Sequence, residues 1–171
     1  VKTCANSLFM ATNDARLIAL DGLTGRVRPG FGAGGEVDLK PGVGQLSWAQ
    51  EYQVSSPPAV VGDVVVVGSA VADNQRIDAP SGVVRGYDVR SGELVWACDL
   101  APPDFDYEAG MVSEAGYALG TPNVWSGFAV DQQRDIIFLP TGNPAPDYAR
   151  NPGPDMAHFG SSVVALRGST G

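Results

Sequence analysis

Apolar residues along the chain come in short runs broken by polar residues, glycine and proline, and no stretch repeats them at the 3.6-residue spacing of a capped amphipathic helix. This pattern predicts strands and turns. One arrangement occurs three times: Leu17-Ile18-Ala19-Leu20-Asp21-Gly22-Leu23-Thr24-Gly25, Val84-Arg85-Gly86-Tyr87-Asp88-Val89-Arg90-Ser91-Gly92 and Val163-Val164-Ala165-Leu166-Arg167-Gly168-Ser169-Thr170-Gly171. Each copy reads as a short strand, an acidic or polar residue and a Ser/Thr-Gly turn, in which glycine supplies the positive φ of a tight hairpin. After the second copy the chain resumes as a strand over 93–99, with Leu94, Trp96 and Cys98 expected on one side.

A strand-turn-strand element precedes the hairpin in two copies, once over 56–68 and again, with a longer turn, over 121–140. Together the two elements give four antiparallel strands per unit. The turn glycines Gly25, Gly92 and Gly171 lie further apart than the ~40 to 50 residues of an ordinary propeller blade, which predicts insertions over 69–82 and 102–120. Sheets repeated radially form a β-propeller, and closure needs at least about four blades. The expectation is therefore an all-β fragment of a propeller, about two and a half four-stranded antiparallel blades, with two sheets complete and one partial domain over 1–171.

Composition narrows the function. The 11 Lys and Arg against 19 Asp and Glu give a net charge of −8, and the basic residues are scattered, which argues against a nucleic-acid partner. The apolar stretch over 59–68 is interrupted by Asp63 and falls short of the ~18 residues of a membrane-spanning helix. Cys4 and Cys98 form no CxxC and His158 is the sole histidine, so neither a zinc site nor a redox dithiol is supported. Both cysteines read as buried thiols, with Cys4 open to a partner further upstream. Asp104, Asp106, Glu108 and Glu114 read as a solvated surface, and His158 as a packed or solvent-facing side chain.

The hairpin Gly86-Tyr87-Asp88-Val89-Arg90-Ser91-Gly92-Glu93-Leu94-Val95-Trp96 resembles the tryptophan-docking motif of quinoprotein dehydrogenases, enzymes that use pyrroloquinoline quinone (PQQ). The likeness extends through Asp14–Asp21, Gly30–Leu39, Ser55–Pro58, Asp73-Asn74, Pro80–Gly86, Pro122–Trp125 and Pro140–Asp147. This succession is similar to the membrane-bound glucose and quinate/shikimate dehydrogenase branch. The resemblance implies an eight-bladed propeller whose parent is periplasmic and anchored in the inner membrane. It also implies a sugar, polyol or cyclic hydroxy acid as substrate and ubiquinone as acceptor.

Carried over residue by residue, the resemblance makes Trp125 the tryptophan on the floor of the cofactor pocket, where an indole face suits a flat quinone. Asn143, in Thr-Gly-Asn-Pro, matches an asparagine that coordinates the metal beside the quinone, and a neutral oxygen suits Ca²⁺ or Mg²⁺. Asp73 and Asn74 correspond to an acidic loop facing cofactor and metal; which of the two coordinates stays open. The family's aspartate base and the basic residue that polarises the quinone belong to later blades, so no catalytic residue is expected here and the isolated chain should be inactive. Its two open sheet edges, which the remaining blades would cover, favour pairing with a second copy. Two other readings remain: a cofactor-free propeller scaffold for protein assembly, and a carbohydrate-binding β-sandwich.

Overall fold

The computed structural model describes residues 7–148 and 155–171, so Cys4 lies outside the described residues. In chain order the strands are β1 (Ser7–Ala11), β2 (Arg16–Asp21), β3 (Glu36–Asp38), β4 (Tyr52–Gln53), β5 (Ala59–Val61), β6 (Val64–Val67), β7 (Ala70–Val71), β8 (Val84–Asp88), β9 (Leu94–Cys98), β10 (Ala129–Asp131), β11 (Ile136–Pro140) and β12 (Val163–Arg167), with a single 3-10 turn at Met156–Phe159. They form the sheets β1-β2-β3, β5-β6-β8-β9 and β10-β11-β12, and the small pair β4-β7. All pairings are antiparallel.

Among the described residues one sheet, not two, has four strands. After the first turn the chain makes only an isolated bridge, Leu20 to Val27, before Pro29 and a glycine-rich loop turn it away, and β3 takes the free edge of β2. In the third sheet β12 runs straight into the turn that holds Gly168 and Gly171.

The four valines of β6 show how the sheets stack. Val65 and Val67 pack with Leu17, Phe31 and Tyr52 on the side of the first sheet, while Val64 and Val66 pack with Ile137 and Leu139 of the third. A strand buried on both faces reads as a continuous apolar run, which is why Val64–Val67 lacks alternation. The middle sheet therefore lies between two others, as a propeller blade does.

The repeated turns have one physical basis. Asp21 Oδ1 accepts from the Thr24 amide and hydroxyl, both at 2.8 Å. Asp88 Oδ1 accepts from the Arg90 and Ser91 amides, again at 2.8 Å. These bonds, from Thr24 for Asp21 and from the Ser91 amide for Asp88, hold both carboxyls below their usual pKa. Gly25 and Gly92 then sit at φ 69° and 73°. The third copy has Arg167 in place of the aspartate, and Asp135 from the neighbouring turn substitutes, accepting from Ser169 Oγ at 2.5 Å.

A bulge at Gly86/Tyr87 sets Leu94 opposite Tyr87 but Trp96 opposite Gly86. Leu94 therefore falls on the other face from Trp96 and Cys98, and is 49% exposed, contrary to the simple alternation. Trp96 is buried, and its indole Nε1 donates to the Gly168 carbonyl of the third sheet's turn at 2.9 Å. It docks against the adjacent sheet, as the motif implied. Phe31 occupies the matching place one sheet earlier: it is buried against Phe9, and the next residue, Gly32, donates its amide to the Ser91 carbonyl in the middle sheet's turn at 2.7 Å. Glycine at 86 is required because a Cβ there would lie 2.4 Å from Trp96 Cε2. Gly86→Ala is expected to cost ~1 to 3 kcal/mol through overpacking, measurable as a lowered thermal midpoint.

Candidate cofactor pocket

Three loops separated widely in sequence meet at one place. The first carries Trp125 after the buried residues Pro122, Asn123 and Val124. Its backbone is clamped from the side by the hydroxyls of Ser55 and Ser56, which both donate to the Trp125 carbonyl. The edge of the indole rests on Gly142, where a Cβ would come within 3.1 Å of Nε1. Even so, Trp125 is 57% exposed. A clamped backbone beneath a bare aromatic surface is what a stacking platform requires.

The second loop carries Asn143. Its Nδ2 donates to Asp147 Oδ1 at 2.6 Å, and its Oδ1 accepts from Ser161 Oγ at 2.6 Å. The third carries Asp73, whose Oδ2 accepts from Asn123 Nδ2 at 2.9 Å and whose carbonyl accepts from the Asp147 amide at 2.9 Å. The Gly142 amide donates to the Asn123 carbonyl at 2.8 Å, which closes the circuit between the loops. Burial pushes the Asp73 carboxyl above its ordinary pKa and the charge of Asp147 adds to this, while the bond from Asn123 opposes it.

The loops thus bring Trp125, Asn143 and Asp73 together. Asn74 is exposed, and its amide oxygen accepts from its own neighbour, Gln75 Nε2, at 2.7 Å; the contacts that join the loops run through Asp73. Sequence reasoning does not single out Asn123, Asp147 or Ser161 as site residues. Asn123 and Asp147 reach Asp73, 50 and 74 positions away along the chain, and no local spacing signals such a contact. Below the pocket, Glu51 is fully buried and pairs with Arg76 at 2.6 Å, while its carbonyl accepts from the amide of Ala72, beside Asp73, at 3.0 Å.

The residues fit a flat quinone with a hard cation. Asn123 Oδ1 is buried with no hydrogen-bond partner, an orphaned acceptor on the same side chain whose Nδ2 holds the Asp73 carboxylate. Among the described residues no group of three or more His, Cys, Asp or Glu gathers to hold a metal alone. Amide oxygens and the bound group itself would have to complete the coordination.

The remaining candidates behave as surface or core. Asp104, Asp106, Glu108, Glu114 and His158 are exposed. His158 lies against the Phe159 ring at 4.5 Å in an edge contact. Cys98 is half-buried, and burial pushes its thiol pKa up, as for an unreactive core cysteine. A separate hollow of about 560 Å³ lined by Phe105, Asp106 and His158 contains none of the predicted site residues.

Antiparallel sheets stacked as propeller blades and joined by an inter-sheet tryptophan are the architecture that the quinoprotein resemblance implied. Residues 1–171 match the family described as the PQQ glucose/ethanol/alcohol dehydrogenase β-propeller domain, and the chain belongs to it. Over 98% of its length it is 42% identical to the glycerol dehydrogenase large subunit of Gluconobacter oxydans (strain 621H) and 37% identical to the quinate/shikimate dehydrogenase (quinone) of Acinetobacter baylyi. It is 33% identical to the quinoprotein glucose dehydrogenase of Escherichia coli (strain K12), again over 98% of the chain. The chain spans 22%, 21% and 21% of those three proteins. The quinohemoprotein alcohol dehydrogenase of Comamonas testosteroni shares the fold, with a TM-score of 0.66 at 22% identity, over 96% of this chain and 24% of that one.

Proposed function

We propose that this chain forms one wall of the cofactor pocket of a PQQ-dependent dehydrogenase that oxidises a sugar, polyol or cyclic hydroxy acid in the periplasm and passes electrons to ubiquinone. The observation that carries this reading is the convergence of Trp125, Asn143 and Asp73 through the Asn123 and Asp147 contacts. PQQ supplies the two-electron acceptor when bound, with Ca²⁺ or Mg²⁺ beside it. Trp125 offers the face on which the quinone lies. Asn143 and Asp73 supply oxygens to the cation, Asn74 stands at the rim of the same loop, and Asn123 holds the Asp73 carboxylate in place. The base that takes the substrate's proton would come from blades outside this chain.

The test uses the full-length protein that carries this chain, with PQQ and Ca²⁺ or Mg²⁺ added. Quinone retained after gel filtration and dye reduction with glucose, quinate or glycerol are both measured. Trp125→Ala is expected to weaken quinone retention about tenfold or more, since a stacking contact contributes about 1 kcal/mol beyond the area it buries. Retention unchanged in Trp125→Ala, or no retention by the unmodified protein, would favour the cofactor-free scaffold instead.

A further inference from the structure

The segment Asn143-Pro144-Ala145-Pro146-Asp147 doubles back so that its first and last side chains meet, Asn143 Nδ2 donating to Asp147 Oδ1 at 2.6 Å. Between them the Ala145 amide donates to the Gly120 carbonyl at 3.0 Å, and the Asp147 amide donates to the Asp73 carbonyl at 2.9 Å. A carboxylate only accepts hydrogen bonds, so the amide nitrogen of Asn143 must face Asp147 and its oxygen must face away. That oxygen meets the Ser161 hydroxyl at 2.6 Å.

We propose that Asp147 is a positioning residue for cation binding. It fixes the flip of the Asn143 amide so that Oδ1, not the NH₂ group, is presented to a hard divalent cation, and its backbone ties the Asn143 loop to the Asp73 loop. This rests on the pocket reading above. The physical reason is that an asparagine is a cation ligand in only one of its two orientations, and the wrong one presents two N–H donors to a positive charge. A partner that accepts but never donates removes the wrong orientation before the cation arrives. The negative charge of Asp147 favours the cation as well. Ser161 acts in the other direction: its hydroxyl is a rotor that caps Oδ1 and turns away when a stronger electrophile takes the oxygen.

The experiment uses the full-length protein, stripped of metal and titrated with Ca²⁺ or Mg²⁺ at saturating PQQ. Bound quinone is read from its absorbance after gel filtration, with no turnover required. Partners that orient metal ligands are worth ~10 to 100-fold in metal affinity. Asp147→Ala and Asp147→Asn are therefore expected to need at least about tenfold more metal for half-maximal retention, with the unfolding midpoint of the metal-free protein unchanged. The asparagine variant is the more telling, because it keeps the volume and loses only the one-way acceptor. Asp147→Glu keeps that acceptor and is expected to recover most of the affinity. If both Asp147→Ala and Asp147→Asn retain quinone at the wild-type metal concentration while Asn143→Ala does not, the positioning role is wrong and the pocket stands. If Asn143→Ala also behaves as wild type, the pocket reading itself fails. A fall in retention at every metal concentration, together with a lowered metal-free midpoint, would make Asp147 a structural residue and overturn the proposal.

Discussion

Replacing Glu51 by alanine is expected to lower the unfolding free energy by about 3 kcal/mol, because removing one partner of a buried ion pair leaves the other uncompensated. Glu51 is completely buried, and its two oxygens are both used: Oε1 accepts from Arg76 Nε at 2.6 Å and Oε2 from the Ser47 amide at 2.5 Å. The expected cost sits at the lower end of the range for such pairs, since Arg76 is 24% exposed and keeps Asp78 at 3.1 Å and the Gln45 carbonyl at 2.7 Å. Chemical denaturation of the full-length protein checks the value. Glu51→Gln, which retains an acceptor for Ser47 but loses the charge, should fall between wild type and Glu51→Ala. A loss below about 1 kcal/mol for Glu51→Ala would mean that the pair contributes no more than an exposed one.

The same pair explains why part of the pocket is invisible in the sequence. Asp73 and Asn74 stand out as an acidic and an amide residue side by side, but what holds their loop is Glu51, through Arg76 three positions after Asp73 and through the Ala72 amide. A lone glutamate in a polar stretch gives no sign that it will be buried. Asn123 and Asp147 are hidden for a similar reason: each lies in a stretch that carries the family resemblance, yet the Asn123 side chain and the Asp147 amide both reach across to the Asp73 loop, a contact that spacing does not encode.

The blades are legible because their turns are local. An aspartate that caps two amides within its own turn, followed by a glycine at positive φ, is a device contained within nine residues and visible wherever it recurs. The third copy is legible from its Ser-Thr-Gly alone, although its capping carboxylate comes from Asp135 on another turn. The alternation in β9 misleads because one extra residue in a strand shifts every later side chain to the opposite face, and only the paired strand reveals it. The number of strands in each sheet escapes the sequence for a related reason. Edge pairing depends on which distant segment arrives, as β3 does beside β2.

Trp96→Ala is expected to be the most destabilising single change, at ~3 to 5 kcal/mol, the range for truncating a large buried aromatic side chain. The indole fills the space between two sheets and lies against Gly86 on one side and Gly171 on the other, where a Cβ added to either glycine would come within 2.4 Å and 2.8 Å of it, respectively. Neither glycine has a side chain to collapse into the void, so relaxation is limited and the cavity term is large. The variant also strips the donor from the carbonyl of Gly168, a buried residue of the turn. Trp96→Phe separates these effects: it keeps most of the packed ring and loses the N–H, so it should cost only ~1 to 3 kcal/mol, the value of an orphaned buried acceptor. Because the bond joins one sheet to the next, the loss should appear as weakened docking between sheets, and amide exchange in β11 and β12 should rise more than in β1 and β2. Equal costs for Trp96→Ala and Trp96→Phe would assign the docking to the hydrogen bond rather than to packing. Exchange that rises evenly over all three sheets would show that they unfold as a single unit.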